Sequence, residues 1–101
     1  MRFMVDIDMP NEPFNQMVKD GTAGAVVQRL LAEIKPEAIY FRERRGLRGA
    51  TMIVDMTDTS QMAAIAEPFF LMFDAQVNFE PVMTPDDLAR AGLDELGKKY
   101  A

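Results

Sequence analysis

The stretch at residues 38–56, AIYFRERRGLRGATMIVDM, decides the fold. Its first part, Ala38 to Arg44, and its last part, Ala50 to Met56, alternate in the way that half-buried strands do. The residues between them, Arg45 to Gly49, include two glycines, which suit a hairpin loop. The stretch therefore predicts two neighbouring antiparallel strands.

The residues before this hairpin predict one strand and two helical segments. Residues 2–9 alternate, and one side of that strand is fully apolar: Phe3, Val5, Ile7 and Met9. A short helix carrying Phe14 and Met17 is expected next, with Asn11 as its N-cap. Apolar residues at helical spacing then predict a longer helix that starts at about Thr22 and is ended by Pro36.

The residues after the hairpin predict a second main helix and a last strand. The run from Thr57 to Gln61 supplies capping residues at the start of this helix. Pro68 removes a backbone hydrogen bond, so a kink or an end is expected near Ala66 or Glu67. Residues 75–83 predict a strand, in which Pro81 indicates an edge position or a bulge. A short C-terminal helix is expected from Thr84 onward.

This order of elements predicts a single α+β domain over residues 1–101. Strand, helix, strand, strand, helix, strand is the ferredoxin-like βαββαβ order, in which two helices pack on one face of a four-stranded antiparallel sheet. A chain of 101 residues suffices for one hydrophobic core.

The composition excludes several classes of function. The chain has no cysteine and no histidine, which argues against thiolate catalysis, histidine bases and the usual zinc or haem ligands. A net charge of −5 argues against nucleic acid as a partner. No apolar run reaches the length of a membrane span, and acidic residues follow closely on the N-terminus, so a cytoplasmic location is expected. No metal is predicted, because the acidic residues lack metal-loop spacing, and no cofactor is predicted either.

The face of the sheet turned away from the helices has no predicted cover. It is expected to carry a mixture of apolar and polar side chains: Met4, Asp6, Tyr40, Arg42, Thr51, Ile53, Asp55, Asn78, Glu80 and Val82. This mixture is too apolar for an ideal solvated surface and too polar for a sealed core. A homodimer joined sheet to sheet is the expected architecture, and a monomer with a mixed, solvated face is the alternative.

The chain resembles the dimeric α+β barrel superfamily, in particular small proteins similar to muconolactone isomerase and related families of unknown function. The resemblance covers nearly the whole chain and rests on the order of elements and on three segments: Ile39–Arg44, Ile53–Asp55 and Val77–Val82. It implies a dimeric barrel with one pocket per subunit. It implies no particular reaction, because the superfamily includes isomerases, monooxygenases, haem-dependent enzymes and proteins without known activity.

The sheet face turned away from the helices, called the open face, would bring together the candidate catalytic residues: Asp6, Tyr40, Arg42, Asp55 and Glu80. A carboxylate desolvated there could have a raised pKa and transfer a proton beside a carbonyl group. The candidate ligand-binding residues are Tyr40, Arg42 and Asn78, with Arg42 holding a carboxylate through two hydrogen bonds. Alternatively, Arg42 simply neutralises Asp6, Asp55 or Glu80. The basic cluster Arg42, Arg44, Arg45 and Arg48 is interpreted as a solvated turn.

Three functions are compatible with these residues. The first is a non-catalytic homodimeric domain with a pocket for a small acidic or carbonyl compound, either between sheet and helices or between the two sheets. The second is a cofactor-independent enzyme, similar to muconolactone isomerase or to a monooxygenase. The third is an RNA-binding sheet, which is disfavoured because Tyr40 is the only aromatic residue expected on the open face.

Overall fold

The computed structural model describes residues 1–101 and has an α+β architecture built on four strands. The elements follow the chain as β1 (Arg2–Asp8), α1 (Phe14–Asp20), α2 (Ala23–Ile34), β2 (Ala38–Arg44), β3 (Leu47–Asp55), α3 (Gln61–Phe73), β4 (Gln76–Val82), α4 (Pro85–Arg90) and α5 (Leu93–Lys99). The sheet order is β2-β3-β1-β4, and every neighbouring pair is antiparallel. The predicted four-stranded antiparallel sheet is confirmed, and this order is consistent with a ferredoxin-like fold.

The register of β1 separates the two faces of the sheet. Val5 lies opposite Met52 on β3 and Phe79 on β4, whereas Asp6 lies opposite Thr51 and Asn78. The apolar side of the sheet packs against α2 and α3 in one buried core, whose members include Val5, Ile7, Leu30, Met52, Ile65 and Phe73. Burial of such side chains stabilises the fold by about 1.5 to 3 kcal/mol each.

The β2–β3 hairpin is tighter than the sequence predicted. The loop expected over Arg45–Gly49 is a turn of only Arg45 and Gly46, with φ angles of 53° and 77°. Two positive φ angles in a two-residue loop match a type I′ turn, whose twist suits the flanking strands. The strand expected from Ala50 therefore begins at Leu47 and includes Gly49.

Gly49 is required in this strand because the Ile7 backbone carbonyl and the Arg42 side chain leave no room for a Cβ atom. A Cβ atom built on Gly49 would lie 2.2 Å from the Ile7 carbonyl oxygen and 2.7 Å from Arg42 Nη1. The second glycine of the stretch thus serves close packing between strands, not a loop.

Two predictions about helix ends are wrong. Asn11 does not cap α1, because the helix begins after Pro13 and has no side-chain cap. Pro68 does not end α3, which runs from Gln61 to Phe73, so the expected end near Ala66 or Glu67 is wrong. Ile65 and Phe69 are buried on either side of the proline, and their packing offsets its cost of about 3 kcal/mol. None of the five helices is long and apolar enough to span a membrane.

The end of the chain forms a C-terminal arm, residues 84–101, that extends from the rest of the molecule. The predicted helix starts with a capping box between Thr84 and Asp87, but Gly92 divides the arm into α4 and α5. Neither helix has a buried residue. The radius of gyration is 17.2 Å and the longest dimension is 60 Å, whereas a compact domain of this length has a radius of gyration of about 13 Å. Pro81 precedes the arm on β4, which is an edge strand as predicted.

Candidate functional site

The candidate site is the open face, the side of the sheet opposite the core. The strand registers place all ten residues predicted for this face on it, in rows that cross the four strands. One row runs Tyr40, Thr51, Asp6, Asn78, and the next runs Ala38, Ile53, Met4, Glu80. The predicted division of the strand residues between the two faces is therefore confirmed.

A network of five polar residues, Asp6, Asp8, Arg42, Arg44 and Thr51, occupies one end of the open face. Asp6 accepts hydrogen bonds from Arg42 Nη2, from Arg44 Nη1 at 2.7 Å and from Thr51 Oγ1 at 2.8 Å. Arg42 also donates to Asp8 Oδ1 at 3.0 Å and to Thr51 Oγ1 at 3.2 Å. Because Arg42 uses Nε, Nη1 and Nη2 in these contacts, its guanidinium group is held by its own subunit.

The pKa of Asp6 follows from this network. Partial burial raises the pKa, but hydrogen bonds from Arg42, Arg44 and Thr51 lower it more, to about 2. The hydrogen bond to Asp6 in turn raises the pKa of Arg42. The expectation of a raised carboxylate pKa is therefore wrong for Asp6, whose charge is stabilised by two guanidinium groups. Asp6 is a fixed anion at neutral pH and does not act as a proton donor there.

None of the other candidate residues is bonded to Asp6 or Arg42, although Asn78 lies opposite Asp6 in the register of β1 and β4. Asp55 Oδ1 accepts a hydrogen bond from the N-terminal amine at 3.0 Å, and Glu80 accepts one from Asn78 Nδ2 at 3.3 Å. Glu80, Asn78 and Tyr40 are exposed. Tyr40 and Asn78 lie on opposite edge strands, roughly 14 Å apart at three strand spacings. A small ligand on one subunit can therefore contact Tyr40 or Asn78 but not both. The Arg42 guanidinium group is already hydrogen-bonded to Asp6, Asp8 and Thr51.

The sequence predicted a ligand pocket in one of two places, between the sheet and the helices or on the open face. Between the sheet and the helices lies a cavity of about 30 Å³ lined by ten apolar residues, among them Phe41, Leu30 and Phe73. Pockets for small molecules usually measure about 300 to 1,000 Å³, so this cavity is too small for a metabolite. It also lies on the far side of the sheet from the charged network. The open face is therefore the better candidate for a ligand surface.

Sequence reasoning missed two members of the network, Asp8 and Arg44. Both could have been found from strand alternation, because Asp8 follows Asp6 by two residues and Arg44 follows Arg42 by two. The same alternation divides the basic cluster that was interpreted as a solvated turn: Arg42 and Arg44 lie on the open face, and only Arg45 lies in the turn itself. Arg48 points to the other face, where its guanidinium group lies 5.2 Å from the Phe14 ring centroid and donates to Asn15 Oδ1 at 2.6 Å.

Relationships to known proteins do not add to this geometry. No protein-family model matches the sequence, and no curated protein matches it significantly. No group of three or more acidic side chains is arranged to hold a metal ion. The resemblance to the dimeric α+β barrel superfamily rests on the residues quoted above and stays a prediction.

Proposed function

We propose that this chain is a ferredoxin-like, homodimeric domain that binds a small molecule between two sheets packed face to face as a dimeric α+β barrel. The observation that supports the proposal is the organised network on a sheet face that no helix covers. Asp6 and Arg42 side chains are only 17% and 20% exposed, although their own face has no second layer. A partner sheet would complete their removal from water.

The network favours an interface because its charges are already balanced within the subunit. An unpaired charge is costly to bury, whereas Asp6 and Asp8 are both paired with arginine. Beside the network, Met4 and Ile53 supply half-buried apolar surface. A fixed polar cluster bordered by apolar side chains resembles the mixed composition of subunit interfaces.

The exposed polar groups define the chemistry of the proposed ligand. The Tyr40 hydroxyl and the Asn78 amide can each donate a hydrogen bond to a carbonyl or carboxylate oxygen. Met4, Ile53 and Val82 offer apolar contact nearby on the same face. A small, largely apolar compound with one carbonyl or carboxylate group matches these side chains.

The alternative, a cofactor-independent isomerase-like or monooxygenase-like enzyme, finds no specific support in the carboxylates. Asp6 is held ionised by Arg42 and Arg44, and Asp55 is paired with the N-terminal amine. Binding without catalysis is therefore the function that we propose.

Substitution of Ile53 by aspartate tests the proposed dimer. Sedimentation equilibrium should give the wild type a mass of twice the 11.4 kDa chain. We expect Ile53→Asp to weaken self-association at least tenfold, because the new carboxylate would be buried without a partner at the interface. Leu71→Asp is the matched control, since Leu71 is 80% exposed on α3 and lies away from the open face.

A monomeric wild type, or equal dissociation constants for wild type and Ile53→Asp, would contradict the proposed interface. Circular dichroism establishes that both variants fold. A thermal-shift screen of small carboxylates and ketones against wild type and Ile53→Asp tests the ligand. We expect stabilisation of the wild type that Ile53→Asp abolishes; no stabilisation by any compound would remove the support for binding.

A further inference from the structure

Strand β2 leaves its outer edge unpaired, because β3 is its only neighbour in the sheet. The Met9 N–H donates to the Arg48 carbonyl at 2.9 Å, so the backbone groups of Arg48 point toward β1. Glu43 lies opposite Arg48, and its backbone groups then point the other way, out of the sheet. The same holds for Phe41 and Ile39, which lie two and four residues earlier on β2. Three residues of β2 therefore present free N–H and C=O groups to solvent.

The edge of β2 lacks the features that usually prevent pairing with another strand. On the opposite edge strand, β4, Pro81 has no N–H to donate, whereas β2 contains no proline. Charged side chains often protect an exposed edge. The two arginines of β2 do not, because Arg42 reaches inward to Asp8 and Arg44 reaches inward to Asp6.

Two large aromatic side chains lie on either side of this edge. Phe41 is 62% exposed on the helix face of the sheet, and Tyr40 is 73% exposed on the open face. The exposure of Phe41 means that α2 does not cover the edge, so an added strand has room beside β2. Ile39 and Phe41 also line the small apolar cavity under the sheet, which therefore extends to this edge. Free backbone groups between exposed aromatic side chains favour the addition of a strand.

The charges along β2 favour a second copy of β2 as the added strand. In an antiparallel pair of two β2 strands, complete overlap centres the pair on Phe41, and the next registers centre it on Tyr40 or on Arg42. The Tyr40 register sets Glu37 opposite Glu43, and the Arg42 register sets two Arg42 residues opposite each other. Like charges in these positions are destabilising. The Phe41 register opposes no like charges.

The Phe41 register also places the exposed aromatic side chains in favourable contacts. Phe41 lies opposite its own copy on the helix face, and aromatic pairs across two strands stabilise a sheet. Tyr40 lies opposite Arg42 on the open face, where the tyrosine ring can pack on the arginine side chain. Glu37 lies opposite Arg45, which has the opposite charge. The same register thus satisfies the backbone, the aromatic rings and the charges.

We propose that β2 pairs with β2 of a second copy of this chain in the register centred on Phe41, which joins the two sheets edge to edge. The two-fold axis of this pair is perpendicular to the sheet, so the helices of both copies stay on one side and both open faces on the other. The contact is therefore separate from the proposed packing of open faces and does not depend on it. One strand per copy makes a small interface, so the contact forms in concentrated solution.

The unmodified protein tests the register directly. Equal amounts of isotope-labelled and unlabelled chain are mixed at high concentration, and isotope-filtered NMR detects only contacts between chains. Tyr40 and Arg42 of the second copy form a pair without backbone hydrogen bonds, in which the Cα atoms are closest. We expect a strong cross-peak between Tyr40 Hα of one chain and Arg42 Hα of the other, which weakens on dilution. A cross-peak between two Tyr40 or two Arg42 residues, or none between β2 strands, would overturn the proposal.

Phe41→Glu provides a second measurement of the same contact. The substitution places two carboxylates opposite each other at the two-fold axis, where like charges repel. The dissociation constant of the edge contact, measured from the amide shifts of β2 on dilution, should rise at least tenfold. Leu71→Glu is the matched control, because Leu71 is exposed on α3, away from β2. Circular dichroism establishes that both variants fold, and an unchanged dissociation constant in Phe41→Glu would contradict the contact.

The edge contact and the proposed sheet interface can fail separately. A chain that is monomeric in dilute solution but shows the Tyr40–Arg42 cross-peak at high concentration would retain the edge contact and remove the sheet interface. A stable dimer that is weakened by Ile53→Asp, without this cross-peak at any concentration, would do the reverse.

Discussion

Gly49→Ala is expected to destabilise the protein by about 3 kcal/mol or more, at the upper end of what overpacking costs. The added Cβ would lie 2.2 Å from the Ile7 carbonyl oxygen. Because that oxygen belongs to the backbone of β1, relief requires the two central strands to move apart. The movement would also displace Arg42, whose Nη1 lies 2.7 Å from the same Cβ position. Urea unfolding followed by circular dichroism measures the change in free energy.

Gly24→Ala is the matched control for Gly49→Ala. Gly24 lies in α2, and a Cβ there meets nothing within 4 Å. Since alanine is favoured over glycine in a helix, this variant should be more stable than the wild type by about 0.5 to 1 kcal/mol. Equal stability of the wild type and Gly49→Ala would show that β1 and β3 are not packed as closely as described.

Arg42→Met is expected to cost about 2 to 3 kcal/mol at pH 7, somewhat less than the loss of one partner from a fully buried ion pair. The substitution keeps an apolar side chain of similar length but removes the hydrogen bonds to Asp6, Asp8 and Thr51. Arg44 remains as the only cation beside Asp6. Arg29→Met is the control, because its exposed pair with Glu33 contributes at most about 0.5 kcal/mol.

The same variant should alter the dependence of stability on pH. The folded-state pKa of Asp6 is lowered from 3.8 to about 2, so unfolded chains bind the proton first as the pH falls. The stabilisation is complete above about pH 4 and is lost between about pH 4 and pH 2; it amounts to about 1 to 2 kcal/mol after solvent screening. Arg42→Met should flatten this part of the curve. An unchanged slope between pH 4 and pH 2 would contradict the described role of Arg42.

Strand alternation predicted more of the site than any other signal. Because successive side chains of a strand point to opposite faces, the sequence was sufficient to place Asp6, Arg42 and Ile53 on one surface. Which charges meet could not be predicted, because that depends on the offset between strands that are distant in sequence. Arg42 meets Asp8 only because Gly49 leaves room for its side chain.

Local signals were misleading where packing decides the structure. Gly46 and Gly49 suggested a five-residue loop, but of these two glycines only Gly46 has a positive φ and lies in the turn. Pro68 is a helix breaker by propensity, yet Ile65 and Phe69 keep it within α3. The pattern after Thr84 correctly indicated helix. It held no information on whether that helix would pack on its own subunit, because an apolar stripe looks the same whatever covers it.

The central claim, that the open face is covered by the open face of a second copy, is tested most directly by the accessibility of its methyl groups. Methyl-labelled protein is titrated with a soluble gadolinium chelate, and the broadening of the Met4 and Ile53 methyl signals is compared with that of Leu71. We predict strong protection of Met4 and Ile53 in concentrated samples, a loss of that protection on dilution, and constant broadening of Leu71. Broadening of Met4 and Ile53 that is independent of protein concentration would mean that the open face has no partner.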